Sequence, residues 1–451
     1  MQSQSNHTAT SKINLLNADW LHIICYGQSF SVGADAPCQE DPVDGVYLFG
    51  SISDSRGGTT LSPLTNIRNQ HPILSASNVL ARYLAHDNHP TPLILGSYGS
   101  GGQSIAQLMS TVRQQQIKKE KGYSYDCNAA GRYEIFASST HAIANYAHAK
   151  HKSIACPAIV FLQGERDYHT DAELGYPANA ANAAYAAGGD KDLYKEYMSR
   201  LKNDMQNHVM EAYGQKEKPL FLIDQVSGAY VKKNSGINMA QIEFALENED
   251  VILVQSPYFT PHYTNSHHLT TNGYRWLGEY IGRYLFRALT KESKPYPLLP
   301  SVFSIDQHNV VRITVAGSQN GLTIDTHTVK DATNTQNIYG FHMVIDGTTV
   351  VPTHISTIKN EIVLTLPKHI DLFTANSICI YYAGANANGI GNIRDHCTEC
   401  GFYEYLDDTH DTGTGKNQGI SHHALDENGN SLVGQPYPLY NWLSSFCYEI
   451  Q

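Results

Sequence analysis

Leu21-His22-Ile23-Ile24-Cys25-Tyr26-Gly27-Gln28-Ser29-Phe30-Ser31-Val32-Gly33 is the stretch from which the fold is read. Its opening run is apolar without clear alternation, the pattern of a strand covered on both faces. Gly27 ends the run, and Ser29 follows at what would be the carboxyl edge of a sheet, where open α/β sheets place their ligands. Similar runs recur at residues 92–97, 158–162, 220–223 and 251–254. Between them lie helical stretches at 140–150, 190–213 and 239–246, and a last helix at 271–289, with Thr270 or Thr271 available as its N-cap. Strands alternating with helices predict a mainly parallel sheet between helical layers, an α/β/α domain.

The chain has 451 residues, enough for two or three folding units. A polar arm is expected at 1–18 and the α/β domain at 19–293. The proline-rich Lys294-Pro295-Tyr296-Pro297 then marks a hinge. Beyond it, residues 294–451 read as a β-sandwich-like domain, with alternating strands at 311–315, 340–345, 361–366 and 377–382. A long irregular segment at 384–438 interrupts that domain. A net charge of −11 argues against a nucleic-acid partner, and the absence of an 18-residue apolar run argues against membrane insertion. Residues 1–17 lack the basic-then-apolar layout of a secretory leader. Tyr (29) outnumbers Phe (13) more than twofold, which suits sugar surfaces and wet interfaces as well as a β-rich protein with half-exposed aromatics.

Three further segments fall where chemistry is expected. Gly96-Ser97-Tyr98-Gly99-Ser100-Gly101-Gly102-Gln103-Ser104-Ile105 follows the second strand. Its glycines let backbone N–H groups approach a ligand, yet it lacks the Lys of a phosphate cradle and the third glycine of a dinucleotide fingerprint. A donor loop for an oxyanion is the better reading. Gln163-Gly164-Glu165-Arg166-Asp167 follows the third strand, and Asn265-Ser266-His267-His268-Leu269-Thr270-Thr271-Asn272-Gly273-Tyr274 enters the last helix. Each has a plain structural alternative as a turn, a cap or one of 22 histidines.

Together, in order and spacing, the four segments resemble the SGNH hydrolases, and within them the branch of sialate O-acetylesterases and acetylxylan esterases. That branch shows Gly-Gln-Ser, Gly-Gly-x-Ser-Ile, Gln-Gly-Glu, and Asp-x-x-His-Leu before a Gly-Tyr helix. The resemblance covers roughly residues 19 to 290 and implies a flavodoxin-like domain. It implies Ser29 as nucleophile and His268 as general base, with His267 in reserve. It also implies an oxyanion hole made by the N–H groups of Ser29 and Gly102 and the side chain of Gln163. A serine hydroxyl needs such a base, and its tetrahedral product needs such donors.

One position departs from the pattern: Asn265 stands where the family has aspartate. Three readings follow. Glu165 orients His268, which is preferred; or a backbone carbonyl does and the enzyme is a dyad; or the site only binds. The expected function is serine-dependent O-deacetylation of a glycan, without metal or organic cofactor. The alternative is a glycan-binding protein that kept the fold. The partner is then an acetylated carbohydrate, met outside cells by a secreted enzyme or a phage tail protein. Cys397-Thr398-Glu399-Cys400 with His422-His423 has spacing that can hold zinc, although a local disulfide or free thiols are preferred. A zinc-dependent hydrolase built there ranks last. Arg394 and Trp442 either line the substrate cleft or pin the long loop, the second being preferred.

Overall fold

The computed structural model describes residues 16–176, 182–232, 234–264, 266–291, 293–329, 338–384, 387, 389–414 and 419–450. Its first half contains strands β1 (Trp20–Gly27), β2 (Val46–Phe49), β3 (Leu61–Ser62), β4 (Leu93–Ser97), β5 (Asp126–Cys127), β6 (Ile154–Leu162), β7 (Asn182–Ala183), β8 (Leu220–Ile223) and β9 (Val251–Leu253). Seven of them form one sheet in the order β3-β2-β4-β1-β6-β8-β9, parallel except for β3. β5 and β7 make a separate two-residue ladder. All five expected strands are present within a few residues of their expected bounds.

Setting β2 and β3 aside, the order β4-β1-β6-β8-β9 starts at a central strand and winds outward in both directions. Its direction reverses at β1 and β6, and the carboxyl ends of those two strands flank a crevice. Gly27 lies opposite Leu162 there. A Cβ at Gly27 would stand 2.0 Å from the Leu162 carbonyl oxygen at φ +135°, so glycine alone permits this approach.

The helices are α1 (Pro72–His86), α2 (Thr111–Lys121), α3 (Arg132–Ala149), α4 (Lys191–Tyr213), α5 (Gly236–Glu247) and α6 (Thr271–Thr290). α1 and α2 were not foreseen. Thr270 caps α6 by accepting from the Gly273 N–H, and Asp190 caps α4 through Leu193. α1 and α6 meet at Gly278 and Gly282, which are bare enough for close backbone contact.

The second half contains β10 (Leu299–Gln307), β11 (Val310–Ala316), β12 (Leu322–Ile324), β13 (Phe341–Ile345), β14 (Thr348–Val350), β15 (His354–Ile358), β16 (Glu361–Thr365), β17 (Ile378–Tyr382), β18 (Ile393–Asp395), β19 (Cys400–Glu404), β20 (Pro436–Pro438) and β21 (Phe446–Ile450). Two four-stranded antiparallel sheets, β10-β11-β16-β15 and β14-β13-β17-β21, carry most of them. β11 alternates between buried and half-buried residues, as a strand with one covered face should. Phe303 of the first sheet meets Phe446 and Tyr448 of the second, with centroids 5.9 and 5.5 Å apart.

The irregular segment of this half returns to α6. Trp276 donates to the Pro438 carbonyl, Tyr280 to that of Tyr440, and Arg283 to that of Leu439. Arg394 and Trp442 are both buried and pin this segment rather than line a cleft. Arg394 donates to Asp325 at 2.6 Å beneath the Tyr440 ring, and Trp442 stacks on Phe259 at 5.0 Å. Cys397 and Cys400 are free thiols, one buried and one exposed. His423 instead pairs with Asp408.

Candidate functional site

The turn after β1 is a single 3-10 segment, Ser29–Val32, closed by Gly33 in the left-handed region. Ser31 Oγ donates to the Gln28 carbonyl at 2.6 Å, and Ser97 Oγ to the Ser31 carbonyl at 2.7 Å, locking this turn to the end of β4. Gly99 packs against it so closely that a Cβ would lie 2.1 Å from Ser31 Oγ. Ser29 is the first residue of the 3-10 turn, a position whose N–H has no acceptor within the turn.

Ser29 and His268 line one cavity of about 170 Å³, together with Gln28, Phe30, Glu165, Tyr230, Ser266 and His267. No hydrogen bond joins the serine and the imidazole. Such contacts are commonly long without substrate and shorten when it binds. The imidazole is held from its other side: its Nδ1 lies 2.7 Å from the Asp35 carboxylate. If Nδ1 bears the proton, Nε2 is left as the acceptor a general base needs.

Asp35 therefore occupies the place that the sequence reading assigned first to Glu165. Glu165 does line the cavity, but its carboxylate accepts from the Gln28 side chain. It is 5% exposed, and burial, aided by the charge of nearby Asp167, raises its pKa well above the ordinary carboxylate range. Asp224 behind it is likewise raised by burial and by the charge of Glu165. Asn265 lies outside the described residues.

Gln163 also differs from expectation. Its side-chain N–H groups go to Asp167 at 2.6 Å and the Gln103 carbonyl at 3.1 Å, while Tyr194 donates to its oxygen. Both amide hydrogens are thus committed within the protein, and Gln163 is absent from the cavity lining. Its role here is architectural: Asp167 in turn accepts from the Ile105 N–H and fastens the glycine-rich loop. Gly102 of that loop is exposed with φ +70°.

The loop bearing His268 is braced by the second half of the chain. Thr264 N–H donates to the Gly419 carbonyl and Ser421 N–H to the His262 carbonyl. Tyr263 donates to Asp411 at 2.8 Å, and the Thr414 N–H donates to the Asp35 carbonyl at 2.6 Å. The C-terminal segment thus touches Asp35 itself and, through residues 262–264, the loop that carries His268.

Asp35 lies two residues beyond the Gly27–Gly33 segment and belongs to none of the four motif segments. The available signal was an aspartate in a Gly-Ala-Asp-Ala turn six residues after the serine. Asp35 adopts φ +69°, in the left-handed region that aspartate tolerates better than most residues.

No protein-family model matches the sequence, and no curated protein matches it. Among solved structures, a carbohydrate acetylesterase from Xanthomonas citri aligns with a TM-score of 0.51 and 11% identity, over 82% of this chain and 77% of its own. The two share a fold. An Arabidopsis thaliana protein aligns at 0.40 with 13% identity, over 61% of this chain and 100% of its own. A family two carbohydrate esterase from Cellvibrio japonicus aligns at 0.31 with 12% identity, over 60% of this chain and 62% of its own. The likeness to the Xanthomonas enzyme extends the shared architecture beyond the parallel sheet, since that sheet and its helices end near residue 290.

Proposed function

We propose that the protein is a carbohydrate O-acetylesterase of the SGNH type, using Ser29 as nucleophile, His268 as base and Asp35 as the carboxylate that orients it. The observation that carries this reading is the Asp35–His268 contact at the cavity that also holds Ser29. Ser29 Oγ attacks the acetyl carbonyl carbon while His268 Nε2 takes its proton. Collapse of the tetrahedral species expels the sugar alkoxide, which recovers that proton as a hydroxyl. Water, deprotonated by the same imidazole, then adds to the acetyl-enzyme, and acetate leaves as Ser29 regains a proton. Asp35 stabilises the imidazolium formed in each half-reaction.

The N–H groups of Ser29 and Gly102 remain the candidate oxyanion donors. A charged partner for His268 weakens the reading in which the site only binds, since that rested on the amide at position 265. Acetylated glycans lie mostly outside cells, so an extracellular site of action goes with the proposal.

Acetate release from p-nitrophenyl acetate and from acetylated xylan tests it. Wild type should turn over, Ser29→Ala should fall to background, and Asp35→Asn should lose on the order of 10²–10⁴ in kcat, following the serine-protease precedent. Equal inertness of wild type and Ser29→Ala on both substrates would reject esterase activity. Full activity of Asp35→Asn would leave a Ser–His dyad.

A further inference from the structure

The cavity holding Ser29 and His268 reaches solvent beside rings. Tyr230 is half-buried, His267 is exposed, and both line it. The His267 ring meets that of Tyr230 with centroids 4.5 Å apart at 62°, and the His169 ring meets it at 6.0 Å and 88°. Three rings from three separate loops therefore pack edge to face, Tyr230 and His267 at the cavity and His169 against Tyr230 from outside its lining, which fixes their orientations. The turn bearing Tyr230 (Gly228–Lys232) is anchored from the second half of the chain. Gly228 N–H donates to the Gly389 carbonyl at 3.1 Å, and the backbones approach so closely that a Cβ at Gly389 would stand 2.0 Å from the Gly228 oxygen.

The rest of the lining limits what can bind. Among the described residues Phe30 is its one wholly apolar side chain, while Gln28, Glu165, Ser266 and both histidines offer donors and acceptors. A long alkyl chain would find no apolar channel. The volume of about 170 Å³ is also well below the ~300–1,000 Å³ of pockets that engulf a whole ligand. It suits a short acyl group with a polar ring at its mouth.

We infer that Tyr230, flanked by His267 and His169, is the subsite for the pyranose ring that carries the ester, so that the sugar lies against the phenol face while its acyl group reaches Ser29. The inference rests on the proposed esterase activity and adds the residue that distinguishes a glycan from a simple ester. A pyranose presents C–H bonds on its faces and hydroxyls at its edge. The flat apolar body and polar tip of a tyrosine match that layout.

The test compares kcat/KM on partially acetylated xylan with kcat/KM on p-nitrophenyl acetate for wild type, Tyr230→Phe and Tyr230→Ala. For Tyr230→Ala the xylan-to-nitrophenyl ratio should fall about tenfold or more, mostly through KM on the polysaccharide. Tyr230→Phe, which keeps the ring face and its packing, should stay within about threefold of the wild-type ratio. An unchanged ratio for Tyr230→Ala, with the enzyme active on both substrates, overturns the subsite and leaves the esterase reading intact. An equal fall for Tyr230→Phe and Tyr230→Ala overturns it as well, because the hydroxyl would then matter and not the face. A wild-type chain inert on both substrates instead rejects the activity on which the inference rests.

Discussion

Glu165 sits with its carboxylate against Gln28 at the floor of the cavity, facing Asp167 on its own segment and Asp224 after β8. Burial holds its proton at pH values where an unfolded chain has already released it. The folded state then binds more protons than the unfolded one, and stability falls as pH rises from the ordinary carboxylate range towards the raised value. Glu165→Gln keeps the shape and removes the ionisation. The melting temperature of the variant relative to wild type should therefore climb between about pH 5 and about pH 8, as calorimetry at several pH values would show. A constant difference would mean that Glu165 is not held protonated. The same residue shows how a motif can be legible while its role is not. Gln-Gly-Glu could be picked out by its place after a strand, but the hydrogen bond that assigns Glu165 to Gln28 spans 137 positions. No local pattern encodes such a pairing.

At the scale of elements, α6 is buried along nearly its whole length, including Arg275, Glu279 and Arg283. Its sequence has polar residues where a surface helix would show them, but their partners lie in the second half of the chain. Glu279 accepts from the Tyr403 N–H at 2.7 Å, and Asn272 exchanges hydrogen bonds with Leu406. On the opposite side, a Cβ at Gly282 would stand 2.7 Å from both the Ala76 carbonyl oxygen and Val79 Cγ1 of α1. Gly282→Val should therefore force the two helices apart and destabilise the protein by about 1–3 kcal/mol, measured as a lower denaturant midpoint at unchanged slope. A neutral outcome would show that α1 can shift to make room. The strands around this helix were legible because each is a short apolar run. α1 was not read as a helix, although its apolar residues recur at helical spacing behind Pro72 at its first position.

For the whole molecule, the proline-rich segment at 294–297 does not separate two independent cores. Trp276, Tyr280 and Arg283 of the first half give their hydrogen bonds to carbonyls at 438–440, and Gln225 donates to the Ser445 carbonyl at 2.7 Å. A chain ending at residue 293 would expose those aromatics and leave their polar atoms without partners. Such a truncation should be insoluble or molten by near-ultraviolet circular dichroism; a cooperative melt with the full-length midpoint would show that the first half stands alone. Local sequence was sufficient for the parallel strands, the cap of α6, and the strand-end positions of Ser29 and the glycine-rich loop. Those features depend on apolar runs, turn glycines and capping side chains within a few residues of each other. Which carboxylate reaches His268 was decided by the tertiary structure alone, across 233 positions. That choice depends on how the loops bearing Asp35 and His268 close over the sheet edge, braced by the C-terminal segment at Asp35 and at residues 262–264, so it follows from chain packing and not from any neighbouring residue type.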